Sequence, residues 1–533
     1  MYGKMPDGEW MVWFNWEPAL RRALGKNGQD VQLTPGPDSG LDECMETEAG
    51  PVEIGSRLEL FVDEALIEDT KGEIRQVLNR PVSAGTVLRM DAPWEGNTSF
   101  YPNIVEVAGK YWMYYRGVGA PEYVVRKHLE PGEAVMEDRH PETVCLAESP
   151  DGVHWKKPEL GLREWEGSKA NNIVLLADDF AKRVAHNFTV FVDGNPEVPE
   201  SERFKAVGGV HELYGFVSPD GLNWKPAQEE PILRDGKFDS QNVVFWDAER
   251  GHYVAVYRDF IHGVRTIKTA TSPDFRSWPP GEWADFGDIP DEQLYTNATE
   301  PYFRAPHLYL SFPKRYLPFR TLVHDGKNNG LSDGVFMSSR DGVHWRRFEE
   351  AFIRPGRSIR NWIHRTTAAA RGIVQTAPDE ISLYVLRHYT YPSCHVERMT
   401  LRLDGFASMQ AGARGGEVRT RPLRFGTGAD LSGKITQLEL NYATSAAGSL
   451  RVEIQDEAGH PIPGFALEDS PLLYGDVIDQ PVDWVRPGTR TDQYFLNSLA
   501  EKPVRLRFVL KDADLYAFRF RTLDRGDLPE DEV

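Results

Sequence analysis

The chain has 533 residues, a net charge of −20 and an isoelectric point of about 5.2. So acidic a chain excludes the broad basic face with which proteins bind nucleic acid. With 40% apolar and 11% aromatic residues it can bury a core, and its length predicts two domains or one large repeat architecture.

The N-terminal segment lacks the uninterrupted apolar stretch of a signal peptide, and no run approaches the length of a membrane span. We therefore expect a cytoplasmic protein without a membrane partner, or a secreted or periplasmic one if its natural start lies upstream. The cysteines, Cys44, Cys145 and Cys394, are far apart and show no metal-ligand spacing. We expect no metal and no cofactor, and the oligomeric state is left open.

We predict that residues 1–54 form an extension with little core of its own. Helical periodicity is almost confined to residues 15–25. From residue 55, short runs rich in β-branched and aromatic residues predict strands. Five successive blocks each contain two such runs, namely FYPNIVEV and KYWMYYRG, HNFTVFVD and RFKAVGGV, SQNVVFWD and HYVAVYRD, EPYFRA and HLYLSFP, and RTTAAARGIV and ISLYVLRHY. After residue 411, alternating segments such as QLELNYAT and SLRVEIQD predict a β-sandwich.

A near-identical heptad, Ser-x-Asp-Gly-x-x-Trp, recurs in these blocks. It begins at Ser149, Ser218, Ser272 and Ser339, and a degraded copy lies at residues 402–406. The Asp-Gly pair favours a tight turn, because glycine accepts positive φ and aspartate bonds to nearby backbone amides. We interpret the heptad as a structural turn between the third and fourth strands of a repeat unit, with the Trp packed between units and no catalytic role.

Five units of this size are typical of propeller blades. The predicted fold is all-β, with an N-terminal extension at 1–54, a catalytic five-bladed β-propeller at 55–410, and a β-sandwich with a short tail at 411–533. The segment LELFVDEAL at 58–66 is expected to close the ring against the last blade.

This architecture resembles the invertase/inulinase-type glycoside hydrolases, and the propeller alone also resembles the arabinanase/β-xylosidase group and the mannoside phosphorylases. The heptad is similar to the sialidase Asp-box, although one residue shorter. In the invertase-like family an Arg-Asp pair supports the transition state, which Arg258 and Asp259 match in VAVYRDF. The acid/base motif of that family corresponds to Glu300 in NATEPYF, with proline in place of cysteine. Its first-blade Asp has no counterpart in PWEGNTSFYPNI.

Glycosidic cleavage requires two carboxyl groups, one protonated and one ionised, and in a propeller these come from different blades. Asp239 opens the third block and Glu300 the fourth, so we predict Glu300 as the acid, Asp239 as base or nucleophile and Asp259 as stabiliser. For each residue the alternative is a polar side chain that only satisfies a turn or an ion pair.

Further residues at the strand starts or beside them are predicted to bind substrate: Glu95, Asn97, His186, Asn187, Arg258, Arg304, Trp362 and His364. Convergence of several arginines would indicate a carboxylate or sulfate on the sugar. We predict a glycoside hydrolase that removes a terminal sugar from an oligo- or polysaccharide. A phosphorylase and a non-catalytic carbohydrate-binding propeller are the alternatives.

Overall fold

The computed structural model describes residues 2–4, 10–12, 50–135, 139–180, 182–324, 329–428, 431–484 and 492–524, and these are almost entirely β. The chain divides into two compact units, Met1–Pro51 and Val52–Val533. In the first unit, strand Tyr2–Lys4 pairs antiparallel with Trp10–Val12. The helical periodicity predicted at 15–25 lies outside the described residues.

Four four-stranded antiparallel sheets follow one another along the second unit. Sheet 1 contains Phe100–Val107, Lys110–Gly117, Thr143–Ser149 and Ile173–Leu176; sheet 2 contains Thr189–Val192, Phe204–Gly208, Tyr214–Ser218 and Lys225–Pro226; sheet 3 contains Val243–Asp247, His252–Ile261, Val264–Ser272 and Glu282–Trp283; and sheet 4 contains Glu300–Tyr302, Ala305–Ser311, Met337–Ser339 and Trp345–Arg347. A three-stranded sheet adjoins sheet 4 and contains Gln293–Leu294, Lys314–Leu317 and Leu331–Gly334. The first two predicted strands, FYPNIVEV and KYWMYYRG, are confirmed to the residue.

Sheet 5 takes its last strand from an earlier part of the chain. It contains Ala368–Ala369, Glu380–Arg387, His395–Arg402 and Val82–Arg89, and Val374–Ala377 pairs with its second strand. The prediction that residues 58–66 pair with this last unit is wrong, because Glu59–Leu60 pairs instead with Val504–Asp524. Strand Val82–Arg89 is mostly exposed and lacks an apolar pattern, so no local pattern of residues indicates its pairing.

Separate apolar clusters fill the spaces between neighbouring sheets. The clusters join sheets 1 and 2 (Leu146, Val190), sheets 2 and 3 (Val207, Val244), sheets 3 and 4 (Val256, Met337), sheets 4 and 5 (Leu310, Leu383), and sheets 5 and 1 (Leu386, Met113). Each sheet is therefore packed on both sides, and sheet 5 is packed against sheet 1.

The heptads form the predicted turns between third and fourth strands. In the first, Ser149 Oγ accepts from the Gly152 amide at 2.9 Å, and Asp151 Oδ1 accepts from the His154 amide at 2.8 Å. The Trp155 indole closes the turn by donating to the Gly152 carbonyl at 2.9 Å. Tyr384 of sheet 5 donates to that same carbonyl at 2.5 Å, so the turn also joins two sheets.

An eight-stranded sheet contains most of the C-terminal region and strands from both ends of the second unit. Its strands are Val52–Gly55, Glu59–Leu60, Ile67–Leu78, Ala407–Thr420, Leu423–Phe425, Lys434–Asp456, Asp476–Pro481 and Val504–Asp524. The predicted boundaries at 54/55 and 410/411 fall at or within strands of this sheet, and the three-part division stays a prediction, as does the sandwich.

Among the described residues, helical structure is limited to short segments. The α-helix Asp492–Leu499, which the sequence did not predict, contacts strand Lys434–Asp456. Four single-turn 3₁₀ helices occur at Pro121–Tyr123, Val184–His186, Glu200–Glu202 and Ile359–Asn361. No helix among the described residues is long and apolar enough to cross a bilayer.

Candidate functional site

A cavity of about 370 Å³, called cavity A here, is lined by residues from the five sheets and the segments adjoining them. Its basic lining residues are Arg116, Arg139, Arg183, His186, Arg258, Arg265, Lys314, His364 and Arg365. Its aromatic lining residues are Phe100, Tyr101, Tyr123, Tyr295, Tyr316 and Tyr389. Of its described lining residues only Glu142 and Asp239 are carboxylates, so an acidic protein contains a strongly basic cavity.

Asp239 is held by its backbone while its side chain faces cavity A. Asn187 Nδ2 donates to the carbonyls of the two flanking residues, Phe238 and Ser240. The hydroxyls of Tyr101 and Tyr295 lie 2.8 Å apart, and the Tyr295 hydroxyl donates to the Asp239 carbonyl at 3.2 Å. These contacts fix the segment and leave the Asp239 side chain 54% exposed.

The Asp239 carboxylate forms an ion pair with Arg258, of which only 3% is exposed. The Arg258 guanidinium also lies 5.0 Å from the ring centroid of Tyr295. Burial lowers the pKa of Arg258 below its ordinary value, although Tyr295 and Tyr101 act in the other direction. The pair thus places one half-exposed carboxylate against a buried cation.

Glu142, His186 and Arg116 form a second polar group of cavity A. His186 Nδ1 lies 2.7 Å from Glu142 Oε1, and Arg116 Nη1 lies 3.1 Å from the same nitrogen. Burial and the charge of Arg116 lower the pKa of His186 to about 4. Burial alone would raise the pKa of Glu142, but His186, Arg116 and Arg183 together lower it to about 2. At neutral pH Glu142 is therefore ionised, and the imidazole is neutral.

Lys314 lies over the Tyr295 ring and has no ion-pair partner among the described residues. Its ammonium is 4.7 Å from the Tyr295 ring centroid, its residue is 1% exposed, and Nζ has no hydrogen-bond acceptor within the described chain. Burial and the charges of Arg365, Arg265 and Arg258 lower the pKa of Lys314 well below its ordinary value. A lysine without a partner in such a position is unusual, because buried charges are normally paired.

Three non-glycine lining residues have left-handed backbones. The φ angles are +56° at Tyr101, +56° at Arg183 and +75° at Arg365. Such conformations cost about 1–3 kcal/mol each and occur most often at ligand-binding and active sites. Their concentration at cavity A supports a role in ligand binding.

Four of the predicted site residues line cavity A, namely His186, Asp239, Arg258 and His364. His364 packs against Tyr316, with ring centroids 4.3 Å apart, and its Nδ1 is buried without a partner in the described chain. Burial and the charge of Lys314 lower the pKa of His364, which is therefore neutral.

Glu300, by contrast, lines a separate cavity of about 430 Å³, called cavity B here, together with Arg371 and Phe303. Its Oε1 accepts from the Ile373 amide at 2.7 Å. Burial raises the pKa of Glu300, while the charge of Arg371 acts in the other direction. The structure therefore does not bring the predicted pair, Asp239 and Glu300, into one cavity.

Asp259 is next to Arg258 but is not among the lining residues of cavity A. Successive side chains of a strand point to opposite faces, so the two residues cannot both face the same ligand. Asp259 instead lies 4.0 Å from Lys268, whose ammonium bonds to Asp235 at 2.7 Å. The predicted Arg-Asp pair is thus split between two sides of sheet 3.

The remaining predicted residues make structural contacts away from the cavity lining. Glu95 is fully buried and accepts from Tyr115 at 2.6 Å and from Lys157 at 2.7 Å. The other contacts are Asn97 to Ala120, Asn187 to Phe238 and Ser240, Arg304 to Asp404 and Asp479, and Trp362 to Gly356. Of these, Asn187 still acts on the site indirectly, because it clamps the backbone on both sides of Asp239.

The sequence analysis missed Arg116, Lys314 and Arg265, although a signal for the first two was present. A basic residue is the second-last residue of the predicted second strands KYWMYYRG and HYVAVYRD and directly follows HLYLSFP. Those residues are Arg116, Arg258 and Lys314, and all three line cavity A. Within the described chain, no group of three or more His, Cys, Asp or Glu side chains could hold a metal ion.

No protein-family model matches the sequence, and no curated protein matches it. Solved structures with a similar backbone include one described as a glycoside hydrolase, with 14% identity over 61% of this chain and 92% of that chain and a TM-score of 0.43. A GH62 α-L-arabinofuranosidase catalytic domain from Coprinopsis cinerea has 10% identity over 61% and 98% of the two chains, with a TM-score of 0.38.

A β-1,2-mannobiose phosphorylase from Listeria innocua has 12% identity over 61% and 96% of the two chains, with a TM-score of 0.39. None of these three structures is described as an invertase or inulinase, the type that the architecture was said above to resemble.

Proposed function

We propose that the protein is a carbohydrate-active enzyme that cleaves a glycosidic bond in cavity A, on a five-bladed β-propeller formed by sheets 1–5. The observation that carries the proposal is a cavity lined by strands of sheets 1 and 3 and by segments next to the other sheets, in which a half-exposed carboxylate, Asp239, faces aromatic and hydrogen-bonding side chains. The volume of about 370 Å³ is in the range of pockets that take small ligands.

The propeller assignment is supported by the order of the sheets and of their cores. Five antiparallel sheets follow one another, and apolar clusters lie between each neighbouring pair, including sheets 5 and 1. The strand Val82–Arg89 completes sheet 5 from the start of the repeat region, which protects an edge that would otherwise be unpaired.

In the proposed reaction Asp239 is the base or nucleophile, as the sequence predicted. The hydroxyls of Tyr101 and Tyr295 bond to its backbone carbonyl, and Arg258 forms an ion pair with its carboxylate. Glu142, ionised at neutral pH, cannot donate a proton there, so we assign it to binding sugar hydroxyls with His186. The departing glycosidic oxygen then takes its proton from water in the half-exposed site, and Asp239 activates the attacking group.

Hydrolysis is the first reaction that we propose, and phosphorolysis is the alternative. The basic wall of cavity A favours the alternative, because a phosphate ion could bind there and act as the attacking group. The two reactions share the sugar site and differ only in the acceptor.

The test is a screen for sugars released from a panel of neutral and sulfated polysaccharides, with and without inorganic phosphate. Release of reducing sugar without phosphate supports hydrolysis, whereas phosphate-dependent formation of a sugar phosphate supports phosphorolysis. Binding of an oligosaccharide without turnover under either condition would support the non-catalytic alternative and remove the proposal.

A further inference from the structure

We propose that cavity A contains an oxyanion subsite, formed by Arg265, Lys314 and Arg365, that binds a carboxylate, sulfate or phosphate group of the ligand. That the ligand is a carbohydrate or its reaction partner rests on the proposed function. The subsite itself is argued from the contacts of these three side chains.

The first argument is the lack of counter-charges. None of the three residues forms an ion pair with any described residue, and the Arg265 guanidinium bonds to an uncharged amide, Gln293 Oε1, at 2.9 Å. By contrast, the buried Lys205 and Arg347 form ion pairs with Asp193 and Glu292. Although the chain is acidic, no described carboxylate pairs with Arg265, Lys314 or Arg365.

The second argument is the buried and unsatisfied ammonium of Lys314. Nζ is enclosed without an acceptor, and Arg265 Nε and His364 Nδ1 are likewise buried without partners in the described region. A buried donor of this kind destabilises the folded protein unless a ligand supplies an acceptor. An oxyanion supplies several acceptor lone pairs and would satisfy these donors while neutralising the charge.

The third argument is that aromatic rings contact the cations of the subsite and of neighbouring Arg258. Lys314 Nζ and Arg258 Cζ both lie within 5.0 Å of the Tyr295 ring centroid, and Arg265 Cζ lies 5.8 Å from that of Tyr316. The Arg365 guanidinium lies 4.8 Å from the ring centroid of Tyr123. These contacts hold the cations in place before a ligand binds, which reduces the entropy lost on binding.

Direct binding tests the subsite without requiring turnover. The probes are inorganic phosphate, sulfate, D-glucuronate and D-galacturonate, with D-glucose and D-galactose as neutral counterparts, each in sodium chloride of matched ionic strength. We expect at least one oxyanion to raise the thermal midpoint saturably, since a ligand that binds only the native state stabilises it. Failure of every oxyanion to exceed the effect of chloride would overturn the inference.

Variants assign the effect to the subsite. In K314M the affinity for that oxyanion should fall about 10- to 100-fold, as expected for loss of a charged hydrogen bond. Without ligand, K314M should have an equal or higher thermal midpoint, because a buried, repelled charge is gone, and a purely structural lysine would give the opposite. The control K156M removes an exposed lysine and should leave oxyanion binding unchanged.

R365Q provides a second test should K314M not fold, because the Arg365 side chain is only partly buried. Undiminished oxyanion binding in both variants would overturn the inference.

The probes distinguish the two sources of the oxyanion. Tighter binding of a uronate than of its neutral sugar indicates an oxyanion carried by the sugar, and binding of phosphate alone indicates a free ion. If the protein binds an oxyanion but cleaves no glycoside, the subsite stands and the proposed function is wrong. If it cleaves neutral glycans but binds no oxyanion, the proposed function stands and the subsite is excluded.

Discussion

Asp239 faces cavity A, where Arg258 pairs with its carboxylate, whereas Glu300 lies in cavity B beside Arg371. Their positions relative to the first strands of sheets 3 and 4 explain this separation. Asp239 precedes strand Val243–Asp247, while Glu300 is itself the first residue of its strand. Tyr295, five residues before Glu300 and outside sheet 4, is the residue of this segment that lines cavity A.

Replacing Asp239 with asparagine should reduce kcat/KM by about 10²- to 10⁴-fold, the usual effect of removing a catalytic proton acceptor. Asparagine keeps an oxygen that can accept from Arg258, and the site is half-exposed, so the fold should be retained. Turnover of the glycan identified in the screen and thermal unfolding are the measurements. Activity close to that of the wild-type protein would exclude Asp239 from the reaction.

Glu300→Gln should leave turnover unchanged, because Glu300 does not line cavity A. Glutamine can still accept the hydrogen bond from the Ile373 amide, and a neutral group is favoured at a site where burial raises the carboxyl pKa. The free energy of unfolding at pH 7 should therefore be equal or higher. Loss of turnover in a folded E300Q protein would instead restore Glu300 to the catalytic role that the sequence predicted.

Glu142→Gln should change the dependence of stability on pH. The pKa of Glu142 is about 2 in the folded protein and ordinarily 4.5, so its ionised form stabilises the fold above pH 4.5, and this contribution is lost as the pH falls towards 2. The contribution is at most about 3 kcal/mol. Denaturant unfolding from pH 7 to pH 3 should show the difference between wild type and E142Q shrinking with acidification. A difference that stays constant would contradict the assignment.

His186 adds a separate acid-sensitive step. Its pKa is lowered from 6.5 to about 4, so the unfolded chain takes up a proton at a higher pH than the folded protein does. Stability should therefore fall as the pH drops from about 6.5 to about 4, and His186→Gln should reduce that part of the loss. The same series of denaturant titrations measures it, and an unchanged slope in H186Q would contradict this origin.

Gly221→Ala tests the close packing of a heptad turn against the neighbouring sheet. The φ angle of Gly221 is +73°, and an added Cβ would lie 2.7 Å from the Tyr114 hydroxyl and 3.0 Å from a Phe204 ring carbon. Gly251 is the matched control, because its φ is +68° and nothing lies within 4 Å of its Cβ position.

We expect G251A to lower the free energy of unfolding by about 1–2 kcal/mol, the cost of a left-handed backbone for an L-residue. G221A should lower it by a further 1–3 kcal/mol or so, as overpacked cores do. Urea titration compares the two, and similar losses would mean that the turn tolerates a side chain at this contact. Activity per folded molecule should be unchanged in both variants.

Much of the structure follows from local features of the sequence. The heptad turns are predictable because Ser149, Asp151, Gly152 and Trp155 contact one another within seven residues. The strands are predictable where apolar residues fill a strand buried on both faces, as in Phe100–Val107. All-β character and the repeat could therefore be predicted, and so could the position of Asp239 at a strand start.

Only the tertiary structure decides which side chains share cavity A. Arg258 and Asp259 are adjacent and chemically plausible, but strand geometry places one of them in the cavity and the other beside Lys268. The strand that completes sheet 5 is likewise set by partners more than 300 residues away, since Arg89 pairs with His395 and Val82 with Thr400. Such contacts depend on the register and packing of sheets distant in sequence, and no local pattern of residues encodes them.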